Sequence, residues 1–198
     1  MNKYIIILLT FLFLECKSQG QIIDILHDDG SSITNAYYKD VNNLLDPYTG
    51  TWIYTHGSRS IKLLLTKKIK HYNKKYYEDV IIGGVEYKEN NVVKVNTIPD
   101  INNNYVNSIQ YPISGNFLFN KDFYPKCPEC APNELRLTLD YSEPDKANLG
   151  RMVLRKITVN GQEALKMELI AGSIMYKYGT TPPEGFKLPA GNYVFIKQ

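Results

Sequence analysis

The chain has 198 residues, a formal charge of +3 and three cysteines, with 43% hydrophobic residues. That length suits one domain with a sizeable core. The modest charge, with lysines spread through strands and turns, argues against a nucleic-acid-binding surface.

The first twenty residues have the three-part layout of a bacterial export signal. Met1 to Lys3 is a short basic start, Tyr4 to Leu14 is apolar apart from Thr10, and Glu15 to Gly20 is polar. The apolar core of eleven residues is well short of the roughly 20 that cross a bilayer as a helix. Residues 1–20 are therefore expected to be a signal peptide and 21–198 a single β-rich domain. Two processing routes remain open. One cuts before Gln21, after Ser18-Gln19-Gly20. The other acylates Cys16, because Phe13-Leu14-Glu15-Cys16 resembles a lipoprotein box, although Glu15 stands where a small residue is usual. The expected destination is the periplasm, the outer membrane through a lipid anchor, or the exterior.

After the signal, Ser31 to Leu45 has room for a short helix, which Pro47 ends by disfavouring helical geometry in the residue before it. From Gly50 the period becomes two. Trp52 to Tyr54 is predicted as a strand. Ser60 to Lys70 follows, with Ile61, Leu63, Leu65 and Ile69 on one face. The lysine-rich stretch Lys67, Lys68, Lys70, Lys74 and Lys75 flanks a hairpin turn predicted around His71-Tyr72-Asn73 and reads as a solvated tip. Tyr76 to Tyr87 answers it, with a bulge or sharp bend expected at Gly83-Gly84. Asn90-Asn91 is a tight turn leading to Val92–Asn96. Tyr105 to Tyr111 and Ser114 to Phe119 are weaker strands. Glu134 to Tyr141 carries Leu135, Leu137 and Leu139 on one face.

Asn160-Gly161, between Met152 to Val159 and Gln162 to Ile170, is a strong hairpin signal. Val153, Ile157 and Val159 are expected to face the core with Leu165, Met167 and Leu169. Ile174 to Tyr178 and Tyr193 to Ile196 complete about ten strands, an all-β antiparallel barrel or sandwich.

Cys127-Pro128-Glu129-Cys130 is the one chemical-looking motif. Redox catalysis needs the first cysteine at a helix N-terminus, yet Pro125, Pro128 and Pro132 surround the pair. Zinc needs two further ligands, and His27, His56 and His71 lack ligand spacing. In an oxidising compartment the pair is expected to close a short loop as a disulfide. Asp100 to Asn104 has the alternating oxygens of a calcium loop, but Tyr105 and Tyr111 stand where glycine and glutamate are required. No motif implies a cofactor, and no pairing of titratable residues implies catalysis. The loops Ile98 to Asn104, Asn120 to Asn133, Ser142 to Leu149 and Gly179 to Asn192 are the natural carriers of binding residues.

Gly50-Thr51-Trp52 at the entry to the first strand resembles the signature of lipocalin-like barrels. The resemblance implies a tryptophan that plugs the closed end against a basic residue from a late strand, for which Arg155 is the candidate. More broadly, Cys16-Lys17-Ser18-Gln19, Leu44 to Trp52, Asn160-Gly161-Gln162-Glu163 and the ending Leu188 to Gln198 resemble a family of small exported Bacteroidetes proteins, a domain of unknown function. The family implies an exported or lipid-anchored β-protein and transfers no catalytic residue. The expected function is non-enzymatic binding in the cell envelope, of a small apolar ligand or an envelope protein. The alternative is a structural or adhesion module acting through its outer face and loops. The first predicts a lined pocket inside the barrel, the second a solid core with an exposed apolar patch. A hydrolase or isomerase ranks last.

Overall fold

A computed structural model describes residues 20–144, 149–172 and 184–198. Cys16, the Ser18 and Gln19 that precede the other cut, and the strand expected at Ile174 to Tyr178 lie outside the described residues. Eleven strands follow one another among the described residues: β1 (Ile22–Asp24), β2 (Tyr37–Lys39), β3 (Gly50–His56), β4 (Arg59–Tyr72), β5 (Tyr77–Glu89), β6 (Val92–Asn96), β7 (Ile113–Phe119), β8 (Arg136–Tyr141), β9 (Gly150–Val159), β10 (Gln162–Ala171) and β11 (Gly191–Lys197). The sheet runs β5-β4-β3-β11-β10-β9-β8-β7, and β7 pairs back onto β5 through Ile81↔Gly115 and Gly83↔Ile113. Eight antiparallel strands therefore close a barrel, with β1, β2 and β6 added on β5 and its neighbours.

The hairpin turns follow from local backbone chemistry. Asn90 (φ 51°) and Asn91 (φ 62°) turn β5 into β6, and Asn160 (φ 50°) and Gly161 (φ 79°) turn β9 into β10. These are left-handed positions that asparagine and glycine adopt with least strain, and their twist matches that of the flanking strands.

The second of these turns also corrects an expectation. A two-residue loop pairs Val159 with Gln162, so odd positions on β10 meet even positions on β9: Leu165↔Lys156, Met167↔Leu154 and Leu169↔Met152. Met152 and Leu154 therefore face inward with Met167 and Leu169, while Val153 lies on the outer face.

An eight-stranded barrel is just wide enough for its own side chains to fill it. Trp52, Leu63, Leu65, Ile81, Leu137, Leu139, Met152, Leu154, Leu165, Met167 and Phe195 are buried in one contiguous core. Trp52 donates its Nε1–H to the Tyr48 carbonyl at 2.9 Å, and Lys197 lies 5.3 Å from its ring centroid. The basic residue against the tryptophan is thus Lys197 of β11, its direct cross-strand partner. Arg155 is not in this contact, because its parity on β9 points it outward.

Four other expectations change. Between Ser31 and Leu45 there is no helix, because Asn35 and Asn43 take positive φ and the Asp40 carboxylate accepts the Leu44 and Leu45 N–H groups. The helical turns near the start are the 3-10 segments Ile25–His27 and Asp46–Tyr48. Gly83 and Gly84 hold unbroken register with Leu65 and Leu64, so no bulge forms there. A Cβ on Gly84 would lie 2.5 Å from the Thr97 carbonyl, so close backbone approach is what requires glycine. The register break falls instead between Lys68 and His71, where Lys70 takes φ 52°, and it leaves Ile69 exposed. Finally, Tyr105 to Tyr111 is not a strand. Asn107 and Gln110 form a capping box around the 3-10 turn Ser108–Gln110, which sets Tyr111 over Val80 and Ile82 on the outer face of β5.

Candidate functional site

The outer face of β8, β9 and β10 carries the residues that alternate with the core. Arg155 pairs with Lys166 across β9 and β10, and Val153 pairs with Glu168. Arg136 opens β8 one position before the Leu137↔Leu154 pair, so it stands beside Arg155. The segment between β7 and β8, residues 120–135, folds back over this face.

Arg136 organises that segment. Its Nη1 donates to the Pro125 carbonyl at 2.6 Å, and its Nη2 to the carbonyls of Asn120 and Phe123 at 3.1 and 3.0 Å. Its guanidinium also sits 4.5 Å from the Phe119 ring centroid, a favourable cation–π arrangement. The disulfide between Cys127 and Cys130 closes the next turn, and the Cys127 N–H donates to the Lys121 carbonyl. Both cysteines are buried. The motif picked out by sequence is therefore the covalent clamp of a loop lying on the barrel wall.

The clamp delivers two glutamates to the cations beneath. Glu134 accepts from Arg155 Nε at 2.6 Å, and Glu129 accepts from Lys166 Nζ at 2.9 Å while lying 3.6 Å from Arg155. The bond from Lys166 holds the Glu129 carboxyl below the usual carboxylate range, and the bond from Arg155 does the same for Glu134. Burial lowers the Arg136 pKa, and no carboxylate forms an ion pair with it among the described residues. Its Nε–H is buried and has no hydrogen-bond partner, a loss worth about 1–3 kcal/mol.

Between the loop and the wall lies a groove of about 60 Å³ lined by Lys126, Arg136, Arg155, Lys166, Glu129 and Glu168 among others. Beside it the loop gathers aromatic rings. Phe117 and Phe123 are 5.4 Å apart, Phe119 and Phe123 5.0 Å. Phe117 and Phe123 are each 47% exposed and Tyr124 69%. Tyr124 also lines a second groove with Asp140, Leu149, Arg151 and Ile170. The arrangement can hold anionic groups on fixed cations and flat or apolar groups on the rings.

Other polar clusters are consumed by packing. Lys67 bridges Asp40 and Asp46, Lys68 donates to the Tyr111 hydroxyl, and Lys70 lies over the rings of Tyr37 and Tyr77. Lys67 and Lys68 thus fasten chain segments to the extended β4–β5 hairpin, whereas Lys70, Lys74 and Lys75 are exposed at its tip, as expected. Asp100 sits in the 3-10 turn Ile98–Asn102, and the described residues contain no group of three or more metal-ligating side chains.

Of the residues singled out from sequence, Cys127, Cys130 and Arg155 belong to this site, Arg155 in a different role from the one expected, and Gly50 and Trp52 belong to β3. Arg136, Lys166, Glu129 and Phe117 were not anticipated. The outward parity of β8 and β10 is the signal that would have found the cations.

Over residues 1–198 the chain matches a family of unknown function, DUF6705. The chain belongs to this family. Neither a curated protein nor a solved structure matches it. The function of the family is unknown, so the chemistry of the site itself has to indicate the role.

Proposed function

We propose that the protein is an exported, non-enzymatic binding protein of the cell envelope that engages a partner through the outer face of its barrel, at the disulfide loop. The observation that carries this reading is the contrast between a barrel filled by its own side chains and a surface on which Phe117, Phe123 and Tyr124 stand exposed. Five grooves formed by the described residues have no lining from Trp52, Leu63, Leu137, Leu154 or Met167. A small apolar ligand held within the barrel would need such a cavity, typically of at least ~300 Å³. Large exposed rings held by a braced loop are the usual anchors of a protein interface.

The test is purification of the protein from its native envelope with and without Phe123→Ala and Tyr124→Ala, after brief crosslinking. The expected result is a partner captured by the wild type and lost from both variants. Capture that survives both substitutions, or an apolar small molecule that co-purifies with every version, would overturn the reading. The intact mass of the same material reports processing, either a chain beginning at Gln21 or one acylated at Cys16.

A further inference from the structure

Arg136, Arg155 and Lys166 stand side by side on three adjacent strands. Like charges in facing positions of a sheet repel, so this row needs anionic company. The loop supplies some of it: Glu134 is fixed on Arg155, and Glu129 reaches Lys166 and Arg155. Glu168 of β10 lines the same groove, and its charge and those of Glu129 and Glu134 act on Arg136, yet among the described residues no carboxylate forms an ion pair with Arg136. Its Nη groups are spent on neutral carbonyl oxygens, which satisfy donors without cancelling charge, and its Nε–H is left without an acceptor although only 4% of the residue is exposed. Lys126 adds a fourth cation to the same groove.

We propose that this groove is a carboxylate site that takes a glutamate or aspartate side chain of an acidic polypeptide, and that Glu129 holds the position in the free protein. The proposal rests on the reading of the outer face as the binding surface. The groove already accepts one carboxylate, that of Glu129, on an ammonium and a guanidinium, the pairing that planar carboxylates favour. Glu129 is the replaceable member: its side chain is 52% exposed, whereas that of Glu134 is 24% exposed and bonded to Arg155. The groove, of about 60 Å³, admits a carboxylate on a thin methylene stem, and the exposed rings of Phe117, Phe123 and Tyr124 beside it suit the side chains of a polypeptide. A bound carboxylate would displace Glu129 from Lys166 and lie against Arg136, which forms no ion pair among the described residues. The disulfide keeps Glu129 close by, so it acts as a tethered competitor that sets a threshold for weakly acidic ligands.

The experiment is titration of the oxidised mature protein with a capped pentaglutamate peptide, followed by calorimetry at low and high salt. Glu129→Gln and Lys166→Gln both change exposed side chains. Glu129→Gln is expected to tighten binding about two- to five-fold, the scale of one exposed ion pair. Lys166→Gln is expected to weaken it by a similar factor, and high salt to weaken it in every version. Equal binding of a capped pentaglutamine peptide, or unchanged or weaker binding by Glu129→Gln, would overturn the site. Equal or better binding of glucuronate would overturn the assignment to a polypeptide. A partner captured through Phe123 and Tyr124 that ignores both charge variants would sink the carboxylate site and leave the outer-face reading standing.

Discussion

Lys67 Nζ lies 2.8 Å from Asp40 Oδ2, and this carboxylate is completely buried while the ammonium is 11% exposed. Burial alone would lower the Lys67 pKa, but the bonds to Asp40 and then Asp46 raise it overall. The pair joins β4 to the segment that leads into β3, and Asp40 also holds the Leu44 and Leu45 N–H groups. Removing one partner of a buried pair strands the other charge. Lys67→Met is therefore expected to lower unfolding stability by about 3–5 kcal/mol, read from the urea midpoint. A midpoint unchanged within error would show that Asp40 is held by its backbone donors alone.

Glu78 and His71 face each other across β4 and β5 and respond to pH in opposite senses. Burial raises the Glu78 pKa, partly offset by bonds from Ser108 and Asn73. Its protonated form is favoured on folding, so its contribution is full below the unfolded value of about 4.3 and is lost as pH rises through the raised folded value. Glu78→Gln should accordingly be more stable than the wild type at pH 7, with the gap closing towards pH 4.

Burial, and then Lys68, lower the His71 pKa. Its contribution is full above the unfolded value of about 6.5 and is lost as pH falls through the lower folded value. His71→Phe should flatten the loss of stability below pH 6.5 in thermal melts. A slope identical to that of the wild type would remove His71 from the account.

Glu143 is a buried carboxylate that ties two distant segments. It accepts from the Tyr141 hydroxyl at 2.8 Å and from the N–H groups of Lys187 and Leu188 at 2.8 and 2.9 Å. Burial, and then Glu143, push the Tyr141 phenol far above its usual range. Glu143→Ala leaves these donors unpaired at about 1–3 kcal/mol each. Amide exchange at Lys187 and Leu188 should accelerate markedly while exchange in β4 stays slow. Equal protection in both proteins would contradict this role.

A methyl group at residue 84 would meet the Thr97 carbonyl at 2.5 Å and the Ile98 backbone at 2.7 Å. Overpacking against backbone cannot relax by a rotamer change. Gly84→Ala is expected to destabilise by at least about 1–3 kcal/mol, whereas an alanine at Gly185, with nothing within 4 Å of its Cβ, should have little effect. Similar melting temperatures for the two variants would refute the packing argument.

Some of this was readable from residues alone because the controlling forces are local. Asn160-Gly161 and Asn90-Asn91 specify left-handed turns in their own backbone, and alternation in Ile61, Leu63 and Leu65 marks the inward face of β4. The same Asn-Gly turn also contained the correct parity of β9, since a two-residue loop pairs Val159 with Gln162. Apolar count favoured Val153, Ile157 and Val159, but hydrogen-bond register decides which face a residue takes. Val153 is apolar because the disulfide loop covers it from outside.

The all-β class, the hairpins and the Cys127–Cys130 pairing could be read from residues alone, because φ preferences, period-two patterning and a short cysteine spacing act over a few residues. Closure of the sheet, through β5 against β7 and β3 against β11, is a property of the folded chain. Folding alone brought Glu129 and Glu134 onto Arg155 and Lys166 and left Arg136 without an ion pair among the described residues. Those contacts join residues far apart in the chain, and their energy depends on burial and register that no local stretch encodes.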